Sequence, residues 1–179
     1  MLESLITSKT RIKLLLKFFL NFQNVGHLRG LEAEFGESSN SIRLELLKLE
    51  SAGILSSTLK GNKKLYFANT NYPLFNEINS ILKKFVGIDQ IIEQITSQIG
   101  DLDAAYLTGD IAIGKNSNII ELILIGNILD GSYIQNLIEK AELYIKRTVI
   151  FNVFTSEEMI QAYTKKPLLL IWKADKEIP

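Results

Sequence analysis

The chain has 179 residues with 20 basic and 20 acidic side chains, one histidine and no cysteine, a length that fits one or two small domains. Hydrophobic content of 46% and charged content of 22% exclude a wholly disordered chain. The absence of cysteine excludes a disulfide scaffold, a thiolate zinc site and a cysteine nucleophile, and the single His27 leaves no histidine-rich metal site.

The most apolar early stretch, 12–22, is interrupted by Lys13 and Lys17 and falls short of the roughly 20 apolar residues of a membrane span. Met1-Leu2-Glu3-Ser4 lacks the basic leader of a signal peptide. The expectation is a soluble, cytoplasmic protein with no membrane partner. The neutral total conceals two unlike halves. Residues 1–87 carry 12 basic against 7 acidic side chains, net +5, and residues 88–179 carry 8 against 13, net −5. A basic half joined to an acidic half implies that the first half alone approaches a polyanion.

In chain order, Lys9 to Leu20 reads as a helix with Ile12, Leu15, Leu16 and Phe19 on one face and Ser8 or Thr10 as its cap. Asn21 to His27 is a loop or short strand, and His27 carries no ligand role. A second helix spans Leu28 to Phe35 and stops at Gly36. Ser38 caps a third, which runs to about Ala52 with Ile42, Leu46, Leu47 and Leu49 buried. Beyond Gly53 the period shortens to that of a strand, 54–59. A basic turn, 60–64, leads to a second strand, 65–68. Helix, helix, tight turn, helix and hairpin in that order describe a winged helix-turn-helix.

Such a third helix buries one face and presents its first turn and the opposite face to a DNA major groove. The presented residues are Ser39, Asn40, Ser41, Arg43 and Lys48. Arg43 suits guanine edges and Asn40 adenine, while the serines and free backbone N–H groups suit phosphate. At the hairpin tip Lys60, Asn62, Lys63 and Lys64 suit phosphate or minor-groove contact. Singly, each of these is more often a solvated surface residue; together, in this order and within one basic half, they favour DNA binding. Glu37 and Glu45 weigh against binding because they repel phosphate.

Thr10 to Phe67 resembles winged-helix regulators of the ArsR type. The resemblance is strongest over 35–55, which ends Leu46-Leu47-Lys48-Leu49-Glu50-Ser51-Ala52-Gly53-Ile54-Leu55 before a Gly-Asn-basic hairpin. It implies a homodimer on double-stranded DNA. Metal sensing through Cys and His clusters is not implied, because this chain lacks them.

Asn71-Tyr72-Pro73 punctuates the chain. Leu74, Ile78, Ile81, Leu82 and Phe85 mark an amphipathic helix that packs on the domain body or on a second copy. Ile88 to Ile99 continues a helical pattern to Gly100. Strand and helix then alternate: strand 104–108, turn 109–118, strand 119–125, helix 131–146, strand 148–154, a helix capped by Ser156 with Glu157 and Glu158 in its first turn, and an apolar segment 168–172. The fold expected is α+β, with a winged helix-turn-helix over 1–86 and a small α/β domain with a mixed sheet over 87–179.

Tyr106 to Gly114 and Ser117 to Gly126 resemble the minimal nucleotidyltransferase fold of the polymerase-β superfamily. Active members carry Gly-Ser after the first strand, two acids separated by one residue on the next, and a third acid later. The acids hold two Mg²⁺ for phosphoryl transfer. Here Gly109 is followed by Asp110, Ile119 stands at the first acid position, Glu121 at the second, and Asn152 near the third. One carboxylate and one amide are too few hard ligands for two Mg²⁺, so no catalytic residue, metal or cofactor is expected. Asp110 is expected to cap the following turn and Glu121 to face the sheet edge. The reading is a non-enzymatic regulator whose second domain binds a ligand, dimerises or docks a partner. An active nucleotidyltransferase with an accessory winged helix and a protein–protein adaptor are the alternatives.

Overall fold

The computed structural model of the chain describes residues 2–99, 101–155 and 167–174. It divides into two compact units, Met1–Phe85 and Val86–Pro179. The fold is α+β, a winged helix-turn-helix followed by a small α/β unit with a mixed sheet. Among the described residues no helix is long and apolar enough to cross a membrane.

A short helix α1 (Leu2–Leu5) precedes α2 (Lys9–Leu15), which continues into a π-helical turn, Leu16–Leu20. Ser8, rather than Thr10, caps α2 by accepting from the Arg11 amide at 3.2 Å. A π turn leaves carbonyls without their usual partners. Side-chain amides take two of them here: Asn24 donates to the Lys17 carbonyl at 2.7 Å and Asn79 to that of Phe19. Leu14, Leu16, Phe18 and Phe19 are fully buried and form the floor of the unit.

Helices α3 (Leu28–Phe35) and α4 (Ser39–Ser51) meet at a turn in which Gly36 takes φ 64°. Ser38 caps α4 by accepting from the Ser41 amide at 3.2 Å. Ile42, Leu46 and Leu49 face inward. Leu47 does not: it lies about 100° round the helix from Leu46 and is 42% exposed. Strands β1 (Leu55–Lys60) and β2 (Lys63–Ala68) pair as an antiparallel hairpin. The turn narrows from the expected 60–64 to Gly61 and Asn62 alone, because Lys60 pairs with Lys63 in the ladder. Gly61 takes φ 58°, as a glycine at the first position of a two-residue hairpin loop does. The hairpin is fastened to the body through Gly26, which exchanges backbone hydrogen bonds with Tyr66 at 2.9 and 2.7 Å.

Helix α5 spans Phe75–Val86. Phe75 packs on Phe19 with ring centroids 5.4 Å apart, so part of its apolar stripe closes on the domain body. Leu82 is buried, while Leu74 and Ile81 remain exposed.

In the second unit, α6 (Ile88–Thr96) ends sooner than the expected Gly100, which is outside the described residues. The elements that follow are β3 (Leu102–Thr108), α7 (Gly109–Ala112), β4 (Ile119–Gly126), α8 (Gly131–Ile145), β5 (Thr148–Phe154) and β6 (Leu169–Lys173). The sheet order is β5-β4-β3-β6, parallel between β4 and β5 and antiparallel elsewhere. The parallel pair requires a crossover, and α8 supplies it. Asp130 caps α8 by accepting from the Ser132 and Tyr133 amides, at 2.9 and 3.2 Å. Along β4, Ile120, Leu122 and Leu124 point to one face of the sheet. Ile123 and Ile125 point to the other and form a core with Ala104. The helix expected from Ser156 lies outside the described residues.

Gly87, φ 93°, starts α6, and a Cβ there would lie 2.6 Å from Ile145 Cγ2. Gly87→Ala is therefore expected to destabilise this unit by about 1–3 kcal/mol through left-handed backbone strain and the clash. Gly131→Ala, whose Cβ meets nothing within 4 Å, should be near neutral. Urea denaturation of both variants checks the contrast.

Candidate nucleic-acid interface

Helix α4 is set by polar as well as apolar contacts with α2. Arg11 Nε donates to Glu45 at 2.7 Å, and Lys48 Nζ stands 3.7 Å from the same carboxylate. Lys13 pairs with Glu37 at 2.7 Å, and Thr10 donates its hydroxyl to Glu37. The two acids expected to repel phosphate are thus matched inside the unit, and Glu45 is a buried residue. Burial pushes both carboxyls up, but the bonds from Lys13 and Thr10 to Glu37, and from Arg11 to Glu45, outweigh it and leave both below the ordinary carboxylate range.

The predicted reading residues separate into two groups. Ser39 donates its hydroxyl to Glu32 of α3, and the Ser41 hydroxyl lies 3.1 Å from that of Thr10. Both serines are engaged within the unit, since the first turn of α4 faces α2 and α3. Asn40, Arg43 and Lys48 are exposed, and Arg43 donates to the Asn40 amide oxygen at 3.1 Å. Leu44 and Leu47 are exposed beside them, giving the outer face of α4 an apolar strip.

Arg43 and Leu47 form one wall of a groove of about 670 Å³. Asn62, Lys63, Lys64 and Tyr66 of the hairpin form another, and His27, Leu28 and Arg29 at the start of α3 close the end. Sequence reasoning missed Arg29 and gave His27 no role. The position of Arg29 in the first turn of a helix beginning at His27 was the available signal, and only the Gly26–Tyr66 bridge brings that turn beside the hairpin. Arg29, Lys60 and Lys63 have no acidic partner within 4 Å among the described residues. Lys64 differs, for its ammonium is 2.8 Å from Glu50. The bonds from Lys64 and Ser57 hold Glu50 below the ordinary carboxylate range, and Glu50 holds Lys64 above the usual lysine value.

In the second unit, Gly109 takes φ 69° and the Glu121 carboxylate lies directly against it, so a Cβ at Gly109 would collide with it. Glu121 stands opposite Thr108 in the β3–β4 ladder. It belongs to an interior strand rather than to the expected edge, because β5 covers the outer side of β4. Asp110 does not cap with its side chain. Its backbone carbonyl accepts from the Ile113 and Lys115 amides, at 3.2 and 3.0 Å, and its carboxylate is 3.9 Å from Lys115 Nζ. Ile119 is 46% exposed. Asn152 pairs with Ile123, one full repeat along β5 from Ile150, the partner of Glu121. Gly109 and Glu121 are thus brought together, and Asn152 lies one repeat further along the same face of the sheet. No group of three metal-binding side chains occurs among the described residues, and the one carboxylate and one amide of Glu121 and Asn152 do not fit a pair of Mg²⁺ ions, which require several oxygen ligands each.

No protein-family model matches the chain, and a search of curated proteins finds no match. Similar solved structures include a mutant of the toxin–antitoxin MntA-HpeT, at 20% identity and TM-score 0.41, covering 49% of this chain and 74% of that one. Reduced HlyU from Vibrio cholerae is 12% identical with TM-score 0.35, covering 54% and 86%. The transcriptional regulator BldR from Sulfolobus solfataricus is 12% identical with TM-score 0.37, covering 55% and 68%. At these values each is a likeness of shape over part of the chain and no more.

Glu37, Glu45 and Glu50 all lie below the ordinary carboxylate value, so the unfolded chain takes up protons first on acidification. Their contribution is complete above the unfolded value of about 4.3 and is lost as pH falls through the lower folded values. The melting temperature of the protein should therefore fall between about pH 5 and pH 3, and Glu45→Gln should flatten that fall. Thermal melts across the pH range provide the check.

Proposed function

We propose that the protein is a DNA-binding transcriptional regulator that acts in the cytoplasm as a homodimer on double-stranded DNA. The single observation behind this reading is the groove between α4 and the hairpin, with Arg43 on one wall, Lys63 on the other and Arg29 at its end. Cations converging on one concave face, with no acid beside Arg29 or Lys63, are what a phosphate backbone requires. The exposed strip of α4 offers Asn40 and Arg43 for hydrogen bonding to base edges, and Leu44 and Leu47 for the thymine methyl group. The hairpin tip, Lys60, Asn62 and Lys63, is the wing that reaches the adjacent backbone.

The second unit serves this reading as a non-catalytic module for ligand binding, dimerisation or partner docking. Its support is chemical: Ile119 stands where a metal-binding acid is needed, and Asp110 faces Lys115. Isothermal titration with Mg²⁺–ATP should give no metal-dependent heat, and a clear metal-dependent binding isotherm would return an enzymatic reading to the fore.

Selection from a random duplex pool, with the oligomeric state measured alongside, tests the main proposal. A palindromic motif is expected from a dimer. Arg43→Ala should weaken the selected site by about 1–3 kcal/mol and relax the preference at one base position. Lys63→Ala should weaken all sequences alike and reduce the salt slope by about one. Retention of full affinity and preference in both variants removes α4 and the wing from the interface.

A further inference from the structure

We infer that Glu50 is a positioning residue for DNA recognition: its carboxylate ties both strands of the wing to the C-terminal turn of α4, and Lys64 holds the wing rather than a phosphate. This rests on the reading of the groove as a DNA interface.

Glu50 lies in the last turn of α4. Its Oε1 accepts from the Ser57 hydroxyl on β1, and the Lys64 ammonium on β2 donates to Oε2 and lies 2.8 Å from both oxygens. Ser57 pairs with Tyr66 and Lys64 with Leu59, so one carboxylate bridges two positions on opposite strands. The Lys64 ammonium also sits 5.3 Å over the ring of Tyr66, a buried residue whose backbone is the one bonded to Gly26. Above its base, where Asn69 bonds to Gly53 and Ile54, the hairpin is therefore held by Gly26 ahead of α3 and by Glu50 at the end of α4. A two-stranded hairpin has little rigidity of its own in water, and these two attachments determine how far the wing tip stands from the outer face of α4. That distance decides whether Arg43 and Lys63 reach one duplex together. Lys60 and Lys63, beyond the tie, keep their charges for phosphate.

A partly exposed ion pair contributes little to global stability, so the effect belongs in recognition. The full-length protein is measured against the duplex most enriched from a random pool by the unaltered chain, over a range of NaCl concentrations, and each variant is put through the same selection. Glu50→Gln and Lys64→Gln are each expected to weaken binding roughly five- to tenfold, the coupling typical of contacting residues in one network. Both should broaden base preference and leave the salt slope unchanged, and the double variant should be no worse than either single one. Ser57→Ala, which removes one tie without altering charge, should show the same pattern with a smaller loss. Lys63→Gln is the contrast, with a slope reduced by about one and preference intact.

A phosphate contact at Lys64 makes the opposite demands. Glu50→Gln would then tighten binding, by freeing the ammonium and removing a negative charge, and Lys64→Gln would reduce the slope as Lys63→Gln does. Either result overturns the inference while leaving the groove as the DNA site. Failure of the unaltered protein to enrich any duplex overturns the reading of the groove itself.

Discussion

The rotation of α4 about its own axis is the constraint from which the first unit follows. Ile42, Leu46 and Leu49 fix it by burial, and the Arg11–Glu45 contact at 2.7 Å fixes it by charge. An ion pair of this kind contributes little net stability when intact, but a buried carboxylate left without its partner is costly. Any other rotation would bury Arg43 or expose Glu45 unpaired. The helix therefore presents Asn40, Arg43, Leu44 and Leu47 outward because Glu45 must face Arg11.

Charge is distributed by the same logic. The net +5 of residues 1–87 overstates what is spread over the surface. Arg11, Lys13, Lys17 and Lys64 each meet a glutamate within the unit. The cations left without an acidic partner among the described residues include Arg29, Arg43, Lys60 and Lys63, at the groove and the tip beside it. Pairing the acids inside leaves Arg29, Arg43 and Lys63 to set the charge of the groove, where a concave wall strengthens the field a polyanion experiences.

The second unit is built on a four-stranded mixed sheet whose one parallel pair is joined by α8. Gly109 in its left-handed conformation receives the Glu121 carboxylate, a contact set by the turn after β3 and by the pairing of Thr108 with Glu121. Ile119 lies two residues before Glu121, on the same face of β4. Its half-exposed position at the start of β4 tolerates an apolar side chain without disturbing Ile120, Leu122 and Leu124 beneath.

Much of the architecture was legible along the chain. The period of Ile42, Leu46 and Leu49, the Ser38 cap and the two strand-like runs around Gly61 announced α4 and the hairpin, because helix and strand periods are local properties of the backbone. Strand β5 was legible to the residue, and β4 to within one. Leu47 was misassigned because a leucine beside Leu46 reads as core until a rotation is chosen. Ser39 and Ser41 were assigned to DNA because nothing local shows that α2 and α3 lie within reach of their hydroxyls. Arg29 was missed because its place beside the hairpin follows from the Gly26–Tyr66 bridge, a contact between residues 40 positions apart.

The order of elements and the turns were thus properties of the sequence alone, since each depends on neighbours along the chain. Which charges are paired, which leucine is exposed, and which cations share a groove were decided only in the tertiary structure. Those outcomes depend on distances between side chains far apart in sequence, and local periodicity carries no information about them.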